Sequence, residues 1–165
     1  MDFNLSTMSA IKLAICLAAG VFILSFTVIH TEEIPFPEGY LQWKYIKSDT
    51  NSRGGIHHIY ANLIALEGYR TGVFPNGSCL VFDVFDVVKK DSSLIAGGRR
   101  AVDIMIKDSS KYASTGGWGY EEFRGDSRTE RNLKGGVAVC YNCHARKKDH
   151  DFVFSTFTQS TMSLH

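Results

Sequence analysis

Apolar and polar residues alternate along much of the chain after residue 40, and this alternation predicts β-strands. Several of these segments are also rich in Val, Phe and other aromatic residues, as half-buried strands commonly are. The predicted strands cover residues 41–48, 56–60, 78–88, 99–107 and 118–123, with a closing strand at residues 151–157. The longest strand signal is 78–88, in which Ser78, Leu80 and Phe82 share one face.

Other segments have the flanking residues of short helices. Asn62 is a suitable N-cap for a helix over residues 63–70, and Gly72 would end that helix. A helical turn is expected at residues 109–113, and a second short helix at residues 136–144. The sequence therefore predicts a β-rich α+β domain in which short helices flank the sheet.

The N-terminal part of the chain has a different character. Residues 13–29 are apolar or small and follow Lys12. As a helix they would span about 26 Å, slightly less than the bilayer's hydrocarbon core of about 30 Å. Residues 1–30 fit a cleaved signal peptide or an uncleaved membrane anchor, and both predict export to the periplasm. Two prolines mark residues 31–39 as a linker, so the predicted domain spans residues 40–158, before a tail at residues 159–165.

Composition and charge are consistent with one small domain. The chain has 165 residues, of which 44% are hydrophobic, enough to bury one core. Its 18 basic and 17 acidic residues give a formal net charge of +1. No field of one sign therefore points to a nucleic acid, and a membrane is expected only through the N-terminal segment.

The chemically decisive motif lies near the C-terminus, where Cys140 and Cys143 are followed directly by His144. Two thiols at this spacing can add to the two vinyl groups of one haem, and the histidine then lies under the iron as its proximal ligand. A chain of this composition would contain the pattern by chance only about 0.003 times. The motif predicts one covalently bound haem c.

A zinc site is the competing interpretation, because zinc also binds paired cysteines. It needs two further ligands of suitable spacing, and Cys79 and His150 are the only candidates considered for them. The remaining cysteine, Cys16, lies in the N-terminal segment, so no disulfide with Cys79 is predicted.

The sixth coordination position of a histidine-ligated haem iron is open to a protein ligand, to water or to a gas. Met105 and Met162 are the sulfur candidates after the N-terminal segment. Met105 is predicted to be a strand residue, and Met162 lies in the polar tail. An electron-transfer cytochrome with His/Met ligation is therefore the least favoured of three functional interpretations.

The order of motifs over about residues 38–158 resembles the cytochrome P-460 family. In chain order these motifs are the Trp43 strand, His58-Ile59-Tyr60, Gly72-x-Phe74-x-x-Gly77, Lys107-Asp108-Ser109, Gly117-Trp118, Cys140-x-x-Cys143-His144 and Asp151-x-Val153-Phe154. The resemblance implies a curled antiparallel sheet around one haem c, an open distal side and a homodimer.

The family resemblance includes two branches. One consists of enzymes that oxidise hydroxylamine and cross-link a strand lysine to the haem. The other, the cytochrome c′-beta proteins, lacks this lysine, places phenylalanine over the iron and binds small gases. The lysine lies five residues after the glycine that corresponds to Gly77, a position held here by Phe82. Lys89 and Lys90 begin about seven residues further along, roughly 23 Å away on an extended strand.

The second strand also departs from the enzymes, because His57 occupies the position of their arginine. Side chains alternate across a strand, so only one of His57 and His58 can face a given pocket. The resemblance thus favours a distal pocket of Phe82, Leu80 and His57.

We therefore expect an exported mono-haem c-type cytochrome that binds nitric oxide, carbon monoxide or a similar gas. The first alternative is a P-460-type enzyme that oxidises hydroxylamine or nitric oxide. The second is a periplasmic electron-transfer cytochrome that would require a redox partner protein.

Overall fold

The computed structural model describes residues 33–50 and 55–157. The predicted apolar segment 13–29, the tail 159–165 and Met162 lie outside these described residues. Within the two described ranges, no helix is long and apolar enough to cross a membrane.

The described residues form one open antiparallel sheet of five strands, and each strand pairs with the next along the chain. The strands are β1 Lys44–Thr50, β2 Gly55–Ala61, β3 Cys79–Lys90, β4 Ser93–Lys107 and β5 Trp118–Arg124. Two short α-helices accompany them, α1 Leu63–Thr71 and α2 Val137–His144. The predicted β-rich α+β class is confirmed.

The sheet has two faces, and each is covered by different parts of the chain. On the first, which we call the helix face, Ala61, Leu80 and Met105 pack with residues of both helices and with residues 152–153. On the second, the N-terminal face, Val81 and Val102 pack with residues from the segment 34–43. The division follows the alternation along β3 and β4 that the sequence shows.

The residues that begin and end the first helix are the ones that the sequence predicts. The Asn62 side chain accepts a hydrogen bond from the Ala65 amide at 2.9 Å, which is the N-cap interaction. Gly72 ends the helix with a φ of 83°, a left-handed conformation that glycine adopts without steric cost. Asn62 also accepts from the Cys79 amide at 3.1 Å, so the same side chain ties the helix to the start of β3.

The β3–β4 hairpin is longer than the sequence predicts. β4 starts at Ser93 and not at residue 99, which makes it, and not β3, the longest strand. Beyond the residues that pair with β2 and β5, the two strands pair only with each other, through contacts such as Val88–Ile95. Apolar side chains of both strands are exposed in this extension. Its sequence therefore lacks the regular alternation of apolar and polar residues that predicts a half-buried strand.

Two further boundaries differ from the prediction. A 3₁₀ helix at Tyr40–Gln42 precedes β1, which therefore starts at Lys44 and not at residue 41. The predicted helical turn at 109–113 is present, since the Tyr112 amide donates to the Asp108 carbonyl at 2.9 Å, but it continues into a 3₁₀ helix at Ala113–Thr115. In both places local side-chain pattern does not distinguish a tight helical turn from the neighbouring extended chain.

The predicted closing strand at residues 151–157 is wrong. From Val153 onward its side chains do alternate between the core and solvent, but its backbone joins no strand of the sheet. It begins with two residues of left-handed backbone, Asp151 and Phe152, and hydrogen bonds from side chains hold it in place. Alternating burial requires only that the segment lie on the core, and strand pairing requires a free sheet edge beside it.

Candidate functional site

The Cys-x-x-Cys-His motif lies on α2, as predicted. Gly136 forms the N-cap with a φ of 70°, and the helix ends at His144. Residues three and four apart lie on the same side of a helix, so Cys140, Cys143 and His144 share one side of α2. Cys140 packs on the buried cluster of the helix face.

His144 is oriented by a backbone carbonyl. Its Nδ1 lies 2.7 Å from the oxygen of Phe152, and because a carbonyl can only accept, we place the proton on Nδ1. Burial lowers the pKa of His144, against the smaller opposing effect of this hydrogen bond. The ring is therefore neutral near pH 7 with a lone pair on Nε2, the form in which histidine binds a metal.

Aromatic rings surround the imidazole. The ring centroid of Tyr120 lies 5.2 Å from that of His144, and the ring of Phe154 lies 5.0 Å away in an edge-on arrangement. The Tyr120 hydroxyl is buried and has no hydrogen-bond partner among the described residues. Burial raises the pKa of Tyr120, so this group is a neutral donor that a bound group with an acceptor atom would satisfy.

The thiols of the motif are half-buried, and the Cys143 sulfur accepts a hydrogen bond from the Arg146 guanidinium at 3.1 Å. Cys79, by contrast, is buried on the N-terminal face, across the sheet from Cys140. Among the described residues, no three His, Cys, Asp or Glu side chains are arranged to hold a metal ion. The zinc alternative, which required Cys79, does not fit this arrangement.

The strand register shows where the predicted distal residues lie. Directly paired residues of antiparallel strands project to the same face. Ile59 pairs with Phe82 and Ala61 with Leu80, which places Phe82 and Leu80 on the helix face. Leu80 is fully buried in the core, whereas Phe82 is half-buried.

The same register separates the two adjacent histidines. His57 pairs with Val84 and lies on the face of Ile59 and Phe82. His58 lies on the opposite face, where its ring contacts Tyr45 and Phe85 at centroid distances of 6.2 and 5.3 Å. His57 is therefore the one of the pair that shares a face with α2.

Two carboxylates lie beside Phe82, and sequence reasoning missed one of them, Asp103. Asp103 pairs with Phe82 on one side and with Glu122 on the other, so all three lie in one row across the helix face. The Asn132 side chain donates a hydrogen bond to Glu122. A usable signal was present, since Asp103 lies between the apolar residues Ala101 and Met105 on one face of the predicted strand.

Two half-buried thiols, a neutral imidazole with a free Nε2 and a buried, unpartnered tyrosine hydroxyl together fit a haem on the helix face. The fold and site thus define a β-rich haem protein. The family model described as Cytochrome P460 matches residues 37–155, more than half of the chain, so the chain belongs to the cytochrome P460 family and is a haem cytochrome of that family. The family resemblance seen in the sequence is confirmed. A comparison with curated proteins found no match.

Proposed function

We propose that this cytochrome carries one covalent haem c and binds nitric oxide or a similar small neutral gas. Cys140 and Cys143 form the thioether bonds, and His144 Nε2 binds the iron. The observation that carries the proposal is the helix-borne motif beside a sheet face on which Phe82 holds the position of the enzymes' lysine. These features correspond to the cytochrome c′-beta branch.

When bound, the haem supplies an iron with one vacant coordination position. The residues around the haem would then determine which small ligand reaches the iron. Leu80, Met105 and Tyr120 form one row across the strands, and the Tyr120 ring contacts His144. Phe82 lies in the next row, about 7 Å further along the strands. A phenyl ring there disfavours water and charged ligands, because they would lose hydrogen bonds on burial. A neutral diatomic gas loses the fewest hydrogen bonds on burial.

The nearby lysines support the same branch. Lys89 and Lys90 are exposed in the extension of the β3–β4 hairpin, where they pair with Leu94 and Ser93. They lie beyond the part of β3 that pairs with β2. Neither can reach the Phe82 position without a change of strand register.

A second candidate function, P-460-type oxidation of hydroxylamine or nitric oxide, is favoured by one observation. Such oxidation removes protons together with electrons and so needs a proton acceptor. Asp103 and Glu122 share the row of Phe82 on the helix face and supply carboxylates of this kind. The absence of a lysine at position 82 counts against the enzyme.

The third interpretation, His/Met electron transfer, is less well supported. A methionine ligand would have to come from a part of the chain other than the one that would hold the haem through His144. Met105 pairs with Tyr120, whose ring contacts His144, so Met105 lies beside the histidine. Met105 is also buried in the core cluster, with only 2% of its surface exposed.

The haem proposal is tested by denaturation and extraction. Haem should stay with the denatured protein through acid-acetone extraction, and Cys140→Ala/Cys143→Ala should release it. Cys79→Ala is the matched control, because Cys79 lies on the other face and should not matter. Clean extraction of haem from the unaltered protein would contradict covalent attachment.

The choice between gas binding and oxidation is tested by kinetics. The haem protein should bind nitric oxide and show negligible turnover of hydroxylamine with an electron acceptor. Rapid multiple turnover would favour the enzyme, and Asp103→Asn should then reduce its rate.

We also propose that the protein is exported and forms a homodimer. Export rests on the apolar residues 13–29, and a reporter fused after residue 60 should be active only outside the cytoplasm. The dimer rests on the family resemblance, and sedimentation should give twice the mass of one haem-bound chain, where the full 165-residue chain is 18.4 kDa before haem is added and before any cleavage of residues 1–30.

A further inference from the structure

The carbonyl that orients His144 belongs to a strained pair of residues. Asp151 and Phe152 have φ values of 48° and 65°, the left-handed region that residues with a Cβ atom rarely adopt. Such conformations persist where the surrounding structure holds them, and they are common at functional sites. The direction of the Phe152 carbonyl depends on both residues keeping this conformation.

Asp151 is held by three other parts of the chain. Its Oδ1 accepts from the Lys107 ammonium at 2.6 Å, and its Oδ2 accepts from the Phe74 amide at 2.7 Å. Its backbone carbonyl accepts from Trp118 Nε1 at 2.8 Å. The end of β4, the loop after α1 and the start of β5 therefore all meet on this one residue.

The cation of this arrangement is itself fixed in place. Lys107 Nζ also donates to the Gly116 carbonyl at 3.1 Å and lies 5.0 Å from the centroid of the Trp118 ring. The Lys107 and Asp151 side chains are 8% and 13% exposed. A pair this shielded from water keeps one geometry, because neither charge can be rehydrated without moving the chain.

The ring of Phe152 is fixed from the other side. A Cβ atom at Gly116 would overlap that ring, so the phenyl group lies directly against bare backbone. The Tyr141 ring of α2 lies 6.0 Å from it in a tilted arrangement. The Phe152 side chain is 8% exposed. Its carbonyl therefore cannot turn away from His144 while Asp151 is held.

We propose that Asp151, with Lys107 and Trp118, is a positioning residue for the ligand of the haem iron. It fixes the left-handed pair so that the Phe152 carbonyl accepts the Nδ1 proton of His144. This hydrogen bond sets the plane of the imidazole and strengthens electron donation from Nε2 to the iron. The inference rests on the proposed ligation by His144, and it assigns to Asp151 an effect on the iron–histidine bond that goes beyond ligation itself.

The test uses Asp151→Asn in the complete haem protein. Asparagine has nearly the same shape, but its amide carbon carries one acceptor oxygen and one NH₂ donor, which would face either Lys107 or the Phe74 amide. We expect the iron–histidine stretching band of the ferrous protein to move to lower frequency. Weaker donation also favours ferrous iron by about tenfold, which raises the one-electron midpoint potential by about 59 mV.

Asp83→Asn is the matched control. Asp83 is also a buried carboxylate paired with a cation, Arg99, but it lies on the N-terminal face. It should alter neither the stretching band nor the potential. A second variant, Trp118→Phe, removes the donor to the Asp151 carbonyl and keeps an aromatic ring in the core, so it should shift both measurements in the same direction by less.

The inference is supported if Asp151→Asn and Trp118→Phe shift the band and the potential and Asp83→Asn does not. If Asp151→Asn does not fold, Trp118→Phe decides. Unchanged measurements in a folded variant, or equal shifts in Asp83→Asn, would overturn the inference and leave His144 ligation intact. A protein with no iron–histidine band would overturn the proposed ligation and the inference together.

Discussion

Two buried carboxylates, one on each side of the sheet, make similar interactions and differ in what they support. Asp83 accepts from the Tyr40 hydroxyl at 2.8 Å and from Arg99 at 2.6 and 3.0 Å. Asp151 accepts from Lys107 and from the Phe74 amide. Both carboxylates join segments that are distant in sequence, Asp83 through Tyr40 and Asp151 through Lys107 and Phe74, and both ion pairs are largely shielded from water.

The difference lies in the backbone that each carboxylate holds. Asp83 is in the middle of β3 with regular strand geometry, and its partners lie within the N-terminal face. Asp151 is in a strained turn whose next carbonyl contacts His144. The same kind of interaction therefore serves stability alone on one face and also positions a functional group on the other. We expect variants of the two residues to separate these roles.

The largest effect is expected at Asp83. Asp83→Ala leaves the Arg99 guanidinium without its main partner and should lower the free energy of unfolding by about 3–5 kcal/mol. The haem spectrum of the folded fraction should stay the same, because Asp83 lies on the N-terminal face. Asp86→Ala is the control, since the Asp86–Arg100 pair is exposed and should contribute no more than about 1 kcal/mol. Chemical denaturation of the haem protein measures both, and equal losses in the two variants would contradict this role of Asp83.

An intermediate effect is expected at Phe82, on the helix face. If its ring covers the vacant side of the iron, a diatomic gas has to displace it, and removing the ring lowers that barrier. Phe82→Ala should speed association of carbon monoxide and nitric oxide by at least about tenfold, equivalent to about 1.4 kcal/mol. It should also admit water and shift the ferric spectrum toward six-coordinate iron.

Lys89→Ala is the control for Phe82, because Lys89 is exposed on the same strand. It should change neither the association rates nor the spectrum. Unchanged rates and an unchanged ferric spectrum in Phe82→Ala would show that Phe82 does not cover the iron, and would remove the main support for the gas-binding branch.

The last effect concerns alkaline pH and again contrasts the faces. Burial raises the pKa of Cys79, on the N-terminal face, from 9.0 to about 12 and that of Tyr69, on the helix face, from 10.0 to about 12. The unfolded chain loses these protons at lower pH than the folded protein does. Stability should therefore be complete below about pH 9 and fall between about pH 9 and 12, by at most about 1.4 kcal/mol per pH unit for each group.

Cys79→Val and Tyr69→Phe should each make this decline shallower, as measured by denaturation at a series of alkaline pH values. Cys79→Val should act from about pH 9, and Tyr69→Phe from about pH 10, since the unfolded pKa values differ. If stability falls with pH in both variants as steeply as in the unaltered protein, these two groups do not control the decline.

The sequence by itself determined the features that depend on neighbours in the chain. The Cys140, Cys143 and His144 spacing defined the haem motif, and Asn62 and Gly72 defined the ends of α1. Alternation along β3 and β4 assigned their residues to the correct faces. In each case the signal is local, because helix caps, helix turns and strand alternation involve residues only a few positions apart.

Only the tertiary structure decided the features that depend on partners far along the chain. Residues 151–157 have the pattern of a strand, but Asp151 takes its partners from Lys107, 44 positions away, and from Phe74, 77 positions away. The choice between His57 and His58 required the register of β2 against β3. The carbonyl that orients His144 leaves no trace in residue type, since every residue carries one, and its direction follows from backbone dihedral angles that distant contacts hold in place.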